Sequence, residues 1–164
     1  MKGYSLLELV VVVAATGVLA VVATNLFFSV TRGGTKVQLA AEVNQNGQIV
    51  LGVMERLIRN AYSVLTCSGA AETSLTVVDR TGQNVTFACE NVGTDESFIA
   101  SNGARLTSEK VAVSACSFKC VLDQGGYRPP LVEIDFWLRQ ANTQAVTGET
   151  AEAEFKTSVG LRNY

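Results

Sequence analysis

The stretch GYSLLELVVVVAATGVLAVVATNLFFSVTR, residues 3–32, decides how the rest of this chain is read. From Leu9 to Val30 it runs 22 residues whose only polar side chains are Thr16, Thr24, Asn25 and Ser29. A helix needs about 20 such residues to cross a bilayer. One carboxylate, Glu8, opens the run, and no further charge follows until Arg32. A charge near the bilayer centre costs about 2.5–3.5 kcal/mol, and intramembrane charges are as a rule functional. A segment that only anchored the chain would do without Glu8, so the carboxylate calls for a partner.

Two ordinary explanations account for less of the stretch. A cleaved secretory signal needs a short apolar region ending in small residues. Val21-Val22-Ala23 offers such an end, yet the apolar run continues through Leu26, Phe27 and Phe28 and would open on a glutamate. A plain single-span anchor leaves Glu8 unexplained.

Downstream, Gly33-Gly34 is predicted to form a hinge or boundary, since each glycine weakens a helix by about 1 kcal/mol. A helical pattern resumes at Lys36. Val37, Ala40, Val43, Gly47, Val50, Leu51, Met54, Leu57, Ile58, Ala61 and Leu65 recur at three and four residues and define one buried face. Glu42, Gln45, Glu55, Arg56 and Arg59 fill the other side. The face is read as packing on a sheet, with no cofactor site on it. After Cys67 the period changes to two. Leu75–Val78 and Val85–Cys89 flank a glycine-bearing turn at Asp79-Arg80-Thr81-Gly82-Gln83 and form a hairpin. Short strands are predicted at 97–100 and 110–115. Gly125-Gly126 and Pro129-Pro130 bracket a loop with Tyr127 and Arg128. In the clearest strand Val132, Ile134, Phe136 and Leu138 face one way, and Glu133, Asp135, Trp137 and Arg139 the other. Residues 141–150 are polar and turn-like. A last strand aligns Ala153, Phe155, Thr157, Val159 and Leu161. One amphipathic helix over 36–66 and five or six antiparallel strands give an α+β class, the helix covering the apolar face of the sheet.

Met1-Lys2-Gly3, then Tyr4, then Glu8 as the fifth residue counted from Tyr4, resembles the class III signal of type IV pilins and type II secretion pseudopilins. Gly17, Leu19 and Ala20 also stand where that family's apolar helix carries glycine, leucine and alanine. The leader is minimal, with one lysine; Tyr4 replaces the commoner phenylalanine, and Asn25 stands where many pilins have a proline. The resemblance implies residues 1–3 as a prepilin leader, 4–31 as a transmembrane and filament-core helix, and 32–164 as a pilin-like head. It implies cleavage after Gly3 by a prepilin peptidase, N-methylation of Tyr4, and pairing of Glu8 with the Tyr4 ammonium of a neighbouring subunit. Its partners would be other pilin subunits and an inner-membrane assembly platform. The precursor would lie in the inner membrane and the product in a periplasmic or cell-surface filament. Leu106-Thr107-Ser108 before Lys110-Val111-Ala112-Val113, and the ending Thr157-Ser158-Val159-Gly160-Leu161-Arg162-Asn163, look similar to minor subunits of the J type. Retention of Glu8 argues against the extreme tip subunit.

Cys67, Cys89, Cys116 and Cys120 all follow the apolar run, and four cysteines allow three connectivities. Cys67–Cys89 and Cys116–Cys120 are favoured. The first would staple the end of the helix to the sheet, and the second requires a bend at Ser117-Phe118-Lys119, because bridged Cα atoms lie within about 7 Å. A zinc site is disfavoured by irregular spacing and by the lack of any histidine. Disulfides would place the head in an oxidising compartment.

Without histidine the chain also lacks the commonest general base. Glu133 with Asp135, and Glu152 with Glu154, imitate paired catalytic carboxylates, but residues two apart on an exposed strand are read as solvated surface. Asn91, Asp95 and Glu96 could ligate calcium but lack an ordered loop spacing. Asn84-Val85-Thr86 fits a glycosylation sequon, and Trp137 near Tyr127 suggests a contact patch. No active site emerges, so the chain is not read as an enzyme. Setting aside Lys2 and Glu8, the 13 basic and 15 acidic side chains become 12 and 14, a balance without an overall nucleic-acid footprint. The alternative to a filament subunit is a membrane-anchored binding module that never polymerises, an adhesin or a DNA receptor.

Overall fold

A single helix, α1 (Leu6–Arg59), opens the structure, a computed structural model that describes residues 5–122, 129–141 and 151–162. The chain divides into two compact units, Met1–Gln38 and Leu39–Tyr164. Gly33 and Gly34 do not interrupt α1, contrary to the sequence expectation. Each glycine weakens a helix by about 1 kcal/mol, but helix already formed on both sides spares the cost of a new nucleus.

The helix ends seven residues before the predicted Thr66 (66 − 59 = 7). Asn60 caps the last turn, its side chain donating to the Arg56 carbonyl at 2.9 Å. Beyond it Tyr62 N donates to Val78 O at 2.7 Å and Leu65 N to Thr76 O at 2.9 Å. The aromatic and β-branched residues of Tyr62-Ser63-Val64-Leu65 thus find a strand to pair with. Leu65 is accordingly exposed rather than part of the buried helical face, and Val37 is exposed as well. Val43, Val50, Met54, Ile58 and, just beyond the helix, Ala61 are buried as the period predicted.

Among the described residues nine strands follow: β1 (Ser63–Val64), β2 (Ala71–Glu72), β3 (Ser74–Val78), β4 (Asn84–Glu90), β5 (Phe98–Ser101), β6 (Ala104–Arg105), β7 (Val111–Val121), β8 (Leu131–Gln140) and β9 (Glu152–Gly160). They form two antiparallel sheets, ordered β1-β3-β4-β5-β6 and β2-β7-β8-β9, where the sequence suggested one. Both sheets share a core with the second half of α1, made of Val43, Val50, Met54 and Ile58 with Leu75, Phe87, Ile99, Phe118, Phe136 and Phe155. The class is α+β, a long N-terminal helix with antiparallel sheets against its second half, an arrangement compatible with a pilin-like fold.

Packing is close at Gly47, where a Cβ would fall on the Phe155 ring. That ring stacks on Phe136 at 5.2 Å between centroids. Two polar contacts fix the helix beside it: Thr157 Oγ1 donates to Glu55 at 2.7 Å, and Ser108 N donates to Asn46 Oδ1 at 3.0 Å. A further lock lies at Ser97, fully buried, whose hydroxyl donates to carbonyl groups of Thr94 and Val113 and accepts from Val113 N at 2.7 Å. It sits where the β7–β8 register shifts between Val113 and Ala115.

The disulfides are Cys67–Cys120 and Cys89–Cys116, which corrects the favoured pairing. No bend occurs at Ser117-Phe118-Lys119, because β7 runs through it in register with β8. Four residues along a strand span roughly 13 Å, twice what a bridge allows. Pairing of Ala71 with Lys119 and Glu72 with Phe118 lays the segment after β1 along β7. Gly69 N then donates to Cys120 O at 3.0 Å, which seats Cys67 beside Cys120. Cys89, on β4, reaches across to Cys116 and joins the two sheets. Both bonds end on β7.

Candidate functional site at the N-terminal helix

The helix starts where its backbone first closes a turn. The Ser5 carbonyl accepts from Glu8 N at 3.0 Å and from Leu9 N at 3.2 Å. Ser5 therefore holds the N-cap position and Glu8 the third helical place. Ser-x-x-Glu is the spacing of a capping box, a signal already present in the sequence. A carboxylate in the first turn also faces the positive end of the helix dipole. The spacing and the dipole both favour a glutamate in the first turn of a helix that begins at Leu6. They do not supply a counter-charge.

Among the described residues, the helix from Leu6 onward is apolar and uncovered around Glu8. Leu6–Val30 has mean hydropathy 2.6, and none of its most apolar window is buried within the protein. Its 25 residues rise about 37 Å, enough by length and composition to cross or anchor in a membrane. The two threonine hydroxyls in the span bond within the helix. Thr16 Oγ1 donates to Val12 O at 2.9 Å and Val13 O at 3.0 Å, and Thr24 Oγ1 to Ala20 O at 2.7 Å. Glu8 is the one charged side chain between Leu6 and Val30. Gly3 and Tyr4, the processing residues, lie outside the described residues.

The other candidates resolve into structure. Glu133 pairs with Lys119 at 3.8 Å and Asp135 with Lys156 at 3.1 Å across neighbouring strands. The hydrogen bond from Lys156 to Asp135, with its charge, holds the ammonium above its ordinary range. Glu152 accepts the Ser114 hydroxyl at 2.7 Å. Asp95 binds Arg139 at 2.7 Å, and among the described residues no three metal-ligating side chains converge. Asn84 is the exposed first residue of β4, opposite Val78. Trp137 is partly exposed on the outer face of β8, between Ala115 and Glu154, whereas Tyr127 and Arg128 lie outside the described residues. All four cysteines are engaged in disulfides.

What this arrangement can do chemically is associate. An uncovered apolar helix with one carboxylate near its start offers a large non-directional surface and one directional charge. Comparison with protein-family models, with curated proteins and with solved structures found no match to this chain.

Proposed function

We propose that the chain is a structural subunit of a type IV pilus or type II secretion pseudopilus. It is made as an inner-membrane precursor, cut after Gly3 by a prepilin peptidase, and methylated on the new Tyr4 amine. An assembly platform then moves it from the membrane into a periplasmic or cell-surface filament. Glu8 pairs with the Tyr4 ammonium of a neighbouring subunit. The likeness to J-type segments favours a minor subunit over the main one.

One observation carries the proposal: Glu8 stands uncovered in a span with no counter-charge of its own. In a low-dielectric setting a charge left without its partner costs several kcal/mol. The pair therefore acts as a register device, penalising every axial position but one. Support comes also from the α+β head with its two disulfides, which suits an oxidising compartment.

The test is the mass and N-terminal sequence of the protein recovered from membranes and from sheared filaments. A chain starting at Tyr4 and about 14 Da heavier than its sequence, the mass of one methyl group, is expected in both fractions. Glu8→Ala should leave the cut chain and its disulfides intact but remove it from the filament fraction. A chain that still starts at Met1, is confined to the membrane and is indifferent to Glu8→Ala would overturn the proposal. The membrane-anchored binding module would then take its place.

A further inference from the structure

Several of the described cations of the head are engaged. Lys110 pairs with Glu42 at 2.9 Å, Lys119 with Glu133 at 3.8 Å, Arg139 with Asp95 at 2.7 Å and Lys156 with Asp135 at 3.1 Å. Arg105 lies over the Phe98 ring at 4.9 Å and donates to the Thr107 carbonyl at 3.1 Å. Arg56, Arg59 and Arg162 differ. All three are exposed, and none forms an ion pair with a carboxylate among the described residues.

The fold brings these three together. Arg56 and Arg59 are three residues apart in the last turn of α1 and so share a face. Arg162 comes from the far end of the chain, and its backbone N donates to the Arg59 carbonyl at 3.0 Å. Tyr62 follows Arg59 directly, is 68% exposed, and is fixed by its amide bond to Val78 O. The end of α1 and the chain after β9 thus bring three arginines and an exposed tyrosine to one end of the head.

Basic residues at a helix C-terminus complement the dipole, which accounts for Arg56 and Arg59. It does not account for Arg162 or Tyr62. Glu55, next to Arg56 in the chain, turns one carboxylate oxygen to the Thr157 hydroxyl at 2.7 Å. All three cations are arginines, whose planar forks suit phosphate geometry. An aromatic face beside a phosphate-binding groove is the means by which single-stranded nucleic acids are held without sequence preference.

We infer that this end of the head binds single-stranded nucleic acid. Arg56, Arg59 and Arg162 neutralise successive phosphates, and Tyr62 stacks on a base. The inference stands apart from the assembly role of Glu8 and survives its failure, since binding requires no filament.

The test uses the full chain in nonionic detergent and a fluorescein-labelled thymidine oligonucleotide of about 15 nucleotides. Fluorescence anisotropy is followed from about 50 to about 300 mM KCl. Three phosphate contacts predict a slope of log K against log salt near −2. Arg162→Gln should flatten that slope by about 0.7, and Tyr62→Ala should weaken binding about tenfold. The triple variant Arg56→Gln, Arg59→Gln, Arg162→Gln should lose binding, while Lys119→Gln on the outer sheet face should keep it. Retained Trp137 fluorescence and both disulfides show that each variant is folded. Absence of binding at the lowest salt, or binding unchanged in the folded Arg162→Gln chain, would overturn the inference. So would equal competition by poly-glutamate at matched charge, which would make the site one for acidic polypeptide.

Discussion

The two disulfides are nested, and this sets a quantitative expectation for their removal. Cys67–Cys120 closes a loop of sequence separation 53, and Cys89–Cys116 lies inside it with separation 27. In the chain-entropy account each bond taken alone restrains the unfolded chain, by about 4 kcal/mol for the outer and about 3.5 kcal/mol for the inner. They do not act alone. With the inner bond closed, the way round from Cys67 to Cys120 passes through it and is about as long as the inner loop itself. Removing the outer bond should then cost about 3.5 kcal/mol and removing the inner about 3 kcal/mol, nearly equal despite the twofold difference in separation. Loss of both should cost about 7 kcal/mol, within the range of the whole stability of a small domain. The perturbations are Cys67→Ala with Cys120→Ala, Cys89→Ala with Cys116→Ala, and all four together. Alanine is chosen because Cys120 is buried and a serine hydroxyl there would lack a partner. Urea unfolding of the full chain in micelles, read from the single tryptophan Trp137 on β8, gives the three differences. Costs that scale with sequence separation, or a four-alanine head losing under about 2 kcal/mol, would refute the nested account.

Gly47→Ala should destabilise the head by about 1–2 kcal/mol, overpacking against the stacked Phe155 ring outweighing the gain of about 1 kcal/mol in helix propensity. Gly52→Ala, five residues on with nothing near its would-be Cβ, should instead stabilise by up to about 1 kcal/mol; equal effects at the two sites would refute the packing argument. Asp79 is held below its ordinary carboxylate range, first by the Thr81 hydroxyl and then by Gln83 N. Its folded pKa is depressed, so its contribution is present above about pH 3.9 and is lost as pH falls through the lower folded value. Stability of the native chain relative to Asp79→Asn should therefore shrink on acidification through that window, and a difference that stays constant would refute the assignment.

How much of this was legible beforehand depended on whether one local rule governed each residue. In β8 the alternation of Val132, Ile134, Phe136 and Leu138 survives intact, and all four are buried. The helix face from Val43 to Ile58 was equally clear, because apolar residues recur there at helical spacing and meet a sheet. β7 was cut short at Ala115 because Val111, Ala112 and Val113 are buried in succession and Ser114 falls where the register shifts. That break in period two resembles the end of a strand when it is a bulge. Misjudging β7 then misassigned the cysteines, since only an unbroken strand keeps Cys116 and Cys120 apart. The split into two sheets rests on which strands pair over long range, and the bonds of Ser97 to Val113 that tie one sheet to the other are announced by no local pattern. The clustering of Arg56, Arg59 and Arg162 was hidden likewise, since the last is brought in by a backbone bond between residues a hundred positions apart. At the candidate assembly site Glu8 is conspicuous as the one charge in its span, and its Ser-x-x-Glu spacing from Ser5 is equally a local signal.

The two units make opposite demands on their surroundings. In the head, the buried residues of both sheets and of α1 from Val43 onward meet one another, and two covalent bonds hold β7 to the rest. That unit has a core of its own. Leu6–Val30 buries none of its most apolar window. Lipid and a bundle of like helices are about equally apolar, so moving such a span between them changes little hydrophobic free energy. Thr16 and Thr24 exert no preference either, as their hydroxyls are bonded within the helix. What distinguishes one seat from another is then left to Glu8. For a subunit of the proposed kind, this is the economical solution: a nearly flat hydrophobic landscape permits extraction, and a single buried charge selects the place where extraction ends. Replacing Glu8 by glutamine keeps the size of the side chain and removes only that selection, so it should permit membrane residence and abolish ordered incorporation.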